Sequence, residues 1–349
     1  MDRRQFIKAG LALPFAHPSR ALAQEPIFIG DMHAHFFFNE QAVLKSEPVA
    51  KIMAGGNATL VAWSLVGDLL WMGVKQGRYG QTAVPKAGEP LGWFQRELAR
   101  IKKYAAEHKL KIVRTPGDVD RAVKGDPHVV LAVEGASFVE NNISPLRTAH
   151  GLGVRHLQLV HYIQNTLGDF QTEKPEHNGL TELGKQVVRE CNRLGILIDL
   201  AHCAGDAVNQ ALAISKAPMV WSHSSVTQRI PNWKMVTWQA RQLTLENAKA
   251  IAAKGGVVGL WALRQDIGET VEAYADRLAE MADWIGEDHV ALGTDMNGLG
   301  PHALISKYAD CNRVVERWKT QKLSAGRIRK LAIENYARVL RRALAPTPA

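Results

Sequence analysis

The sequence predicts an α/β protein with a (β/α)8 fold, a TIM barrel, and two observations lead to this prediction. The chain of 349 residues contains eight short apolar runs of strand length, and amphipathic stretches with helical spacing lie between them. Strands that alternate with helices form parallel sheets, and eight such units close into a barrel. The runs span residues 26–30, 59–67, 129–133, 154–160, 195–201, 218–222, 255–261 and 290–294.

Between these runs, apolar side chains recur at helical spacing. The predicted helices span residues 94–108, 183–194, 245–252, 270–285 and 324–344. Thr181 and Thr244 stand where N-caps are expected. Residues 68–90, after the second run, are too many for a tight connection, and loops of this length commonly cover a substrate.

Length and composition favour one soluble domain. A barrel of this class needs about 250 residues plus insertions, and no linker or repeat divides the chain. No apolar stretch approaches the roughly 20 residues of a membrane-spanning helix. The net charge of +9 is spread over helix faces, so nucleic acid is not a predicted partner. Three cysteines are too few for a disulfide scaffold, although a single disulfide bond could form in an oxidising compartment.

The N-terminus has the order of an export signal. Arg3 and Arg4 precede a mild apolar stretch, which ends in Ala21-Leu22-Ala23, a small-residue cleavage site. The pattern resembles a twin-arginine signal and predicts a periplasmic protein. We therefore divide the chain into a signal peptide, residues 1–23, and a single barrel domain, residues 24–349. Removal of the signal lowers the formal net charge from +9 to +6.

Side chains suited to metal chemistry stand at the ends of the predicted strands. His33 and His35 are two residues apart, so both can face the barrel axis, and Asp31 is expected on the same side. A buried, unpaired Glu134 would cost several kcal/mol, which a pair of cations relieves. We expect Glu134 to bridge two Zn²⁺ ions, one bound by His33 and His35 and the other by His202 and His223.

A two-metal site holds a hydroxide between its ions, which is a nucleophile at neutral pH. Such a site also needs a proton acceptor. Asp295, in Gly293-Thr294-Asp295 after the last run, is the expected acceptor. Together these residues predict a metal-dependent hydrolase.

Five ordered blocks of sequence resemble the membrane (renal) dipeptidases, metallopeptidases of the amidohydrolase superfamily. The resemblance runs from about residue 29 to 340, and its most specific block is residues 179–202. The other blocks are residues 133–135, 159–161, 218–225 and 293–298. The resemblance implies the TIM barrel, the two zinc ions with the ligands named above, and a homodimer.

The resemblance also implies roles for residues that the strand pattern does not assign. His161 would polarise the scissile carbonyl and stabilise the oxyanion, and Asp295 would move the proton between hydroxide and leaving amine. Arg241 would hold the substrate carboxylate. The sequence departs from the family pattern at His35 and Asn297, where the family has Asp, and in residues 227–240.

The expected function is hydrolysis of dipeptides or related amides by a binuclear zinc centre. One alternative is a different amidohydrolase reaction, such as removal of an acyl or amino-acid group from a secondary metabolite during periplasmic maturation. Another is a metal-loaded accessory protein without turnover. The small peptide substrate is the predicted partner, with no stable membrane insertion.

Overall fold

A computed structural model describes residues 26–36 and 47–345, and its centre is a closed parallel barrel. Eight strands pair in the order β2-β1-β8-β7-β6-β5-β4-β3, and β3 pairs with β2 to close the ring. The barrel strands are β1 Ile29–Ala34, β2 Ala58–Val66, β3 His128–Glu134, β4 Val154–Gln158, β5 Leu197–Asp199, β6 Val220–Trp221, β7 Val257–Leu260 and β8 Val290–Leu292. Each of the eight predicted runs overlaps one of these strands, although the first strand spans Ile29–Ala34 rather than residues 26–30. The predicted export signal lies outside the described residues.

Helices follow the strands along the chain, as the alternation predicts. They are α1 Val49–Ala54, α2 Glu89–Glu107, α3 Pro116–Val123, α4 Ser144–Leu152, α5 Glu182–Leu194, α6 Gly205–Ile214, α7 Thr237–Ala240, α8 Leu245–Ala253, α9 Arg264–Ile267, α10 Val271–Ile285, α11 Asp310–Thr320, α12 Ala325–Arg329 and α13 Asn335–Leu344. Thr181 and Thr244 are N-caps, each accepting a backbone N–H three residues on. Single 3₁₀ turns cover Ser137–Val139 and Gly300–His302.

Two predicted helices differ in detail from the observed ones. The helix predicted over 94–108 begins at Glu89, because Pro90 is compatible with a first helical turn that lacks intrahelical N–H bonds. The helix predicted over 324–344 contains a π-helical turn, Lys330–Glu334, between α12 and α13.

Further short strands pair outside the eight-stranded barrel. Residues 68–90 contain an antiparallel hairpin of Met72–Lys75 and Arg78–Gln81. Lys111–Ile112 pairs beside the start of β3, and Val226–Thr227 pairs with Leu243–Thr244.

The C-terminal helix covers one end of the barrel. Asn335 donates to the backbone carbonyls of Glu287 and Val290, and Arg338 donates to those of Gly255 and Asp288. These carbonyls lie at or before the beginnings of β7 and β8. The amino ends of the strands are thus closed, and the carboxyl ends are left for a site.

The remaining sequence predictions concern membranes and cysteines. Cys191, Cys203 and Cys311 are free and buried, so the possible disulfide is not formed. Within residues 26–36 and 47–345, no helix combines the length and apolarity needed to cross a membrane.

Candidate metal centre

Glu134, the last residue of β3, lies at the centre of a cluster of buried histidines. Its Oε1 is 3.4 Å from His33 Nε2, 3.3 Å from His202 Nε2 and 3.4 Å from His223 Nε2. Its Oε2 is 3.4 Å from His35 Nε2. The structure therefore brings together all five side chains that the sequence suggested as metal ligands, in two groups that share Glu134.

The first group is His33 and His35, whose Nε2 atoms are 3.1 Å apart. His35 Nδ1 lies 2.9 Å from the backbone carbonyl of Ser64. A carbonyl only accepts, so Nδ1 carries the proton and Nε2 presents its lone pair toward Glu134. This is the tautomer that binds a metal, fixed by the partner of the other ring nitrogen.

The second group is His202 and His223, whose Nε2 atoms are 3.2 Å apart. Burial, together with the charges of Arg241 and His161, holds the pKa of His202 well below its usual range. Burial and the charges of His33 and Arg241 do the same for the pKa of His223. Both rings are therefore neutral near pH 7 and available as ligands.

These donor atoms suit a metal ion, and their close approach is unfavourable without one. Imidazole nitrogens and carboxylate oxygens are suitable ligands for zinc and related ions. Neutral Nε2 lone pairs that converge on a carboxylate repel it, and a cation between them removes this repulsion. Burial alone would raise the pKa of Glu134, but electrostatic interactions with His161 and His33 and hydrogen bonds with His202 and His33 hold it well below its usual range. Glu134 is thus ionised.

Asp31 does not join this cluster, which corrects the expectation that it shares a face with His33. The pairing of β1 with β2 is irregular between Asp31 and Ala34, and this breaks the two-residue alternation. Asp31 instead accepts hydrogen bonds from the Thr294 hydroxyl at 2.5 Å and the Tyr308 hydroxyl at 2.9 Å. It ties β1 to the segment after β8.

His161, three residues past β4, faces Glu134 from another side of the cluster. Its Nε2 is 3.3 Å from Glu134 Oε1, and its Nδ1 is 2.6 Å from Asp68 Oδ1. Burial lowers the pKa of His161, but the charges of Asp68 and Glu134 and the hydrogen bond that His161 donates to Asp68 raise it overall. Asp68 therefore orients the ring and favours its protonated form.

Asp295, three residues past β8, approaches the first group. Its Oδ1 is 3.4 Å from His35 Nε2. Its backbone lies in the left-handed region with φ 53°, as does that of His202 with φ 69°. Non-glycine residues in this conformation store strain and concentrate at functional sites. The Asn297 amide donates to the backbone carbonyl of His35, a bond that a carboxylate could not donate.

Arg241 brings a buried positive charge to the same cavity. It is 1% exposed, and burial lowers its pKa. Its Nη1 donates to Gln171 Oε1 at 2.6 Å, its Nη2 lies 3.1 Å from His223 Nε2, and its Nε has no hydrogen-bond partner. Among the described residues, no carboxylate lies within ion-pairing distance of this guanidinium.

The cluster opens into a cavity of about 620 Å³ at the carboxyl ends of the strands. Its lining includes Glu134, His161, Arg241 and Asp295, together with Tyr79 and Tyr162 from the connecting segments. Cavities of roughly 300–1,000 Å³ hold drug-sized ligands. The arrangement can bind metal ions and a carboxylate within one enclosed volume.

Several site residues were not found from the sequence. Asp68 is the clearest, because it comes two residues after β2, much as His202 and His223 come shortly after β5 and β6. The sequence pattern places it in the long segment 68–90. Ser64, Gln171 and Tyr162 carry no motif, and only the folded chain places them beside the cluster.

Comparison with known proteins identifies the family and agrees with the fold. Residues 81–346 match the sequence profile of the membrane dipeptidase family, peptidase family M19. A dipeptidase, tcpJ, from Claviceps purpurea is 31% identical over 255 residues, covering 70% of this chain and 57% of that protein. Dipeptidase aclJ from Aspergillus oryzae is 33% identical over 52% of this chain and 44% of that protein. The chain spans about half the length of these curated relatives.

Solved structures show the same fold. A metallopeptidase from Rhodobacter sphaeroides, solved with a phosphinate mimic of the dipeptide L-Ala-D-Ala, has a TM-score of 0.77 at 22% identity and covers 91% of this chain and 99% of that one. The probable dipeptidase PvdM from Pseudomonas aeruginosa has a TM-score of 0.77 at 18% identity, covering 93% and 97%.

The fold is that of a TIM-barrel protein, with a cluster of candidate metal ligands at the carboxyl ends of its strands. The chain belongs to the membrane dipeptidase family, peptidase family M19.

Proposed function

We propose that this protein is a binuclear zinc dipeptidase that hydrolyses dipeptides or related amides. The observation that carries the proposal is the pair of three-residue ligand groups that share Glu134, beside a buried arginine without a carboxylate partner. The names of the relatives and of the metallopeptidase structures support the same reaction class.

His33 and His35 would hold one zinc ion, His202 and His223 the other, and Glu134 both. When bound, two such ions lower the pKa of a shared water, so that hydroxide is available near neutral pH, and they polarise a carbonyl oxygen.

The protein's own side chains position the substrate and move protons. His161, held by Asp68, can donate from Nε2 to the oxygen that becomes negative as the carbonyl is attacked. Asp295 lies beside His35 at the edge of the cluster, where its carboxylate can accept a proton and pass it to the leaving amine.

Arg241 would recognise the substrate carboxylate. An isolated buried guanidinium is costly, and a carboxylate that accepts its free N–H groups offsets that cost through charge-assisted hydrogen bonds. A free C-terminus close to the scissile bond distinguishes a dipeptide from an internal segment of a protein.

The experiment is a dipeptide library, including D-configured C-terminal residues, tested on the zinc-loaded full chain with metal content measured on the same sample. We expect hydrolysis of some members, none by Glu134→Ala, and loss of the preference for a free over an amidated C-terminus in Arg241→Gln. Two bound zinc ions without hydrolysis of any peptide would indicate the accessory protein. Cleavage of acylated amides but not dipeptides would indicate the other amidohydrolase reaction.

A further inference from the structure

We propose that the natural substrate carries a large apolar group on the amino side of the cleaved bond, and that residues 70–84 and 230–237 bind this group. These two segments are called the rim below. The inference rests on the function proposed above and names its substrate class.

The apolar surface of the described residues is concentrated at the rim. Six large hydrophobic side chains are exposed: Leu70, Val74, Tyr79, Val84, Ile230 and Val236. All six come from the two rim segments. Hydrophobic side chains scattered singly over a surface need no explanation, but a concentration of them at one place marks a binding site.

Polar contacts beneath the rim hold its two segments together. The backbone N–H of Tyr79 donates to Thr237 Oγ1 at 3.1 Å. The Arg78 guanidinium donates to the backbone carbonyls of Trp233 and Thr172. These contacts hold the two segments together next to the exposed side chains of Tyr79 and Val236.

The rim is continuous with the proposed active site. Tyr79 and Val236 line the same cavity as Glu134 and Arg241. The Tyr79 ring stacks on Tyr162 with centroids 5.8 Å apart, and Tyr162 meets His202 edge to face at 4.9 Å. Apolar contacts thus extend from exposed surface to a metal-ligating ring.

The charge distribution decides which end of the substrate reaches the rim. Arg241 is 1% exposed and would hold the C-terminal carboxylate, so the residue on the other side of the scissile bond points toward the opening. A cavity of about 620 Å³ lies in the range that accommodates a drug-sized ligand, roughly 300–1,000 Å³. The rim segment 230–237 lies within residues 227–240, where the sequence departs from the family pattern.

The test compares alanyl-alanine with biphenylalanyl-alanine, which share the free amine, the scissile bond and the carboxylate. With the zinc-loaded full chain we expect kcat/KM at least roughly tenfold higher for the biphenyl substrate, a typical effect of filling an apolar site. Val236→Ser should remove most of this advantage by raising KM for the biphenyl substrate much more than KM for alanyl-alanine. Val84→Ser is the matched comparison within the rim, because Val84 is exposed but does not line the cavity, so its substitution should have a much smaller effect than Val236→Ser.

Equal kcat/KM for the two substrates, or equal effects of Val236→Ser and Val84→Ser, would overturn the inference. So would a dimer that Val236→Ser dissociates in sedimentation velocity, because the rim would then be a contact between two copies of the chain. If neither peptide is hydrolysed, the proposed function fails. The proposal about the rim is then tested separately, by measuring the binding of both peptides by calorimetry. Tighter binding of the biphenyl peptide that depends on Val236 supports the inference, and equal binding rejects it.

Discussion

His35 is the residue at which the metal cluster departs from the pattern of its family. Its Nδ1 is held by the Ser64 carbonyl and its Nε2 faces Glu134 and Asp295. Burial lowers the pKa of His35, but the hydrogen bond with Asp295 and the charges of Glu134 and Asp295 raise it overall. A metal ion would therefore compete with a proton for Nε2 of His35.

We predict that His35→Asp keeps both metals and moves the acidic limb of the kcat/KM profile to higher pH. A carboxylate offsets more of the positive charge than a neutral imidazole does, so water at the metal centre becomes less acidic. His35→Ala should lose one metal. Retention of two ions and full activity by His35→Ala, measured by elemental analysis and a dipeptide assay, would show that His35 is not a ligand.

Asp68 gives a second test at single-residue scale, since it contacts His161 and no suggested metal ligand. Asp68→Asn should keep the metals and lower kcat/KM by roughly 10–100-fold, the usual effect of removing a partner that orients a site residue. It should also lower the pKa of His161. If protonated His161 is the active form, activity is lost as pH rises through that pKa, so the basic limb should move to lower pH.

Bound cations lower the pKa of His161 in wild type and variant alike and leave the direction of the difference unchanged. A pH–rate profile with elemental analysis checks both effects. Unchanged kcat/KM in Asp68→Asn would remove His161 from its proposed role.

At the scale of elements, the strand ends could be predicted because burial on both faces makes parallel strands continuous apolar runs. Glu134, His202 and His223 were found because they interrupt or follow such runs. Asp31 was misplaced because the irregular pairing of β1 depends on β2, which periodicity does not reveal. The start of α2 is not predictable because Gly88 and Pro90 are also typical of loops. The role of Asp68 is not predictable because its partner His161 is far along the chain.

Close approach between strands also positions the ligands. A Cβ at Gly293 would lie 1.7 Å from the backbone oxygen of Ser222, the residue before His223. We predict that Gly293→Ala lowers stability by about 1–3 kcal/mol, the usual range for overpacking, and reduces zinc content because His223 is displaced. Thermal unfolding and elemental analysis measure both. A variant with unchanged Tm and metal content would be inconsistent with this packing.

At the scale of the whole molecule, the barrel separates stability from chemistry. Asn335 and Arg338 bind carbonyls at the beginnings of strands, while the candidate metal ligands lie at the opposite ends. Substitutions at one end can therefore alter activity while the other end maintains the fold.

The division into a signal peptide, residues 1–23, and a single domain, residues 24–349, stays a prediction, as does the homodimer.

We propose that the protein is exported to the periplasm, on the basis of Arg3, Arg4 and the Ala-Leu-Ala segment. The mature N-terminus should then be near Gln24, and replacement of both arginines by lysine should block export. N-terminal sequencing of the protein in the periplasmic fraction identifies the mature N-terminus. Cell fractionation of the double variant shows whether export is blocked. An intact N-terminus on active cytoplasmic protein would rule out the proposal.

The central claim is that His33, His35, Glu134, His202 and His223 hold two metal ions. The most direct measurement is the zinc content per chain of the purified protein after zinc loading and removal of free metal. The account predicts close to two ions for wild type, close to one for His202→Ala or His223→Ala, and near zero for Glu134→Ala. A wild-type zinc content indistinguishable from zero would contradict it.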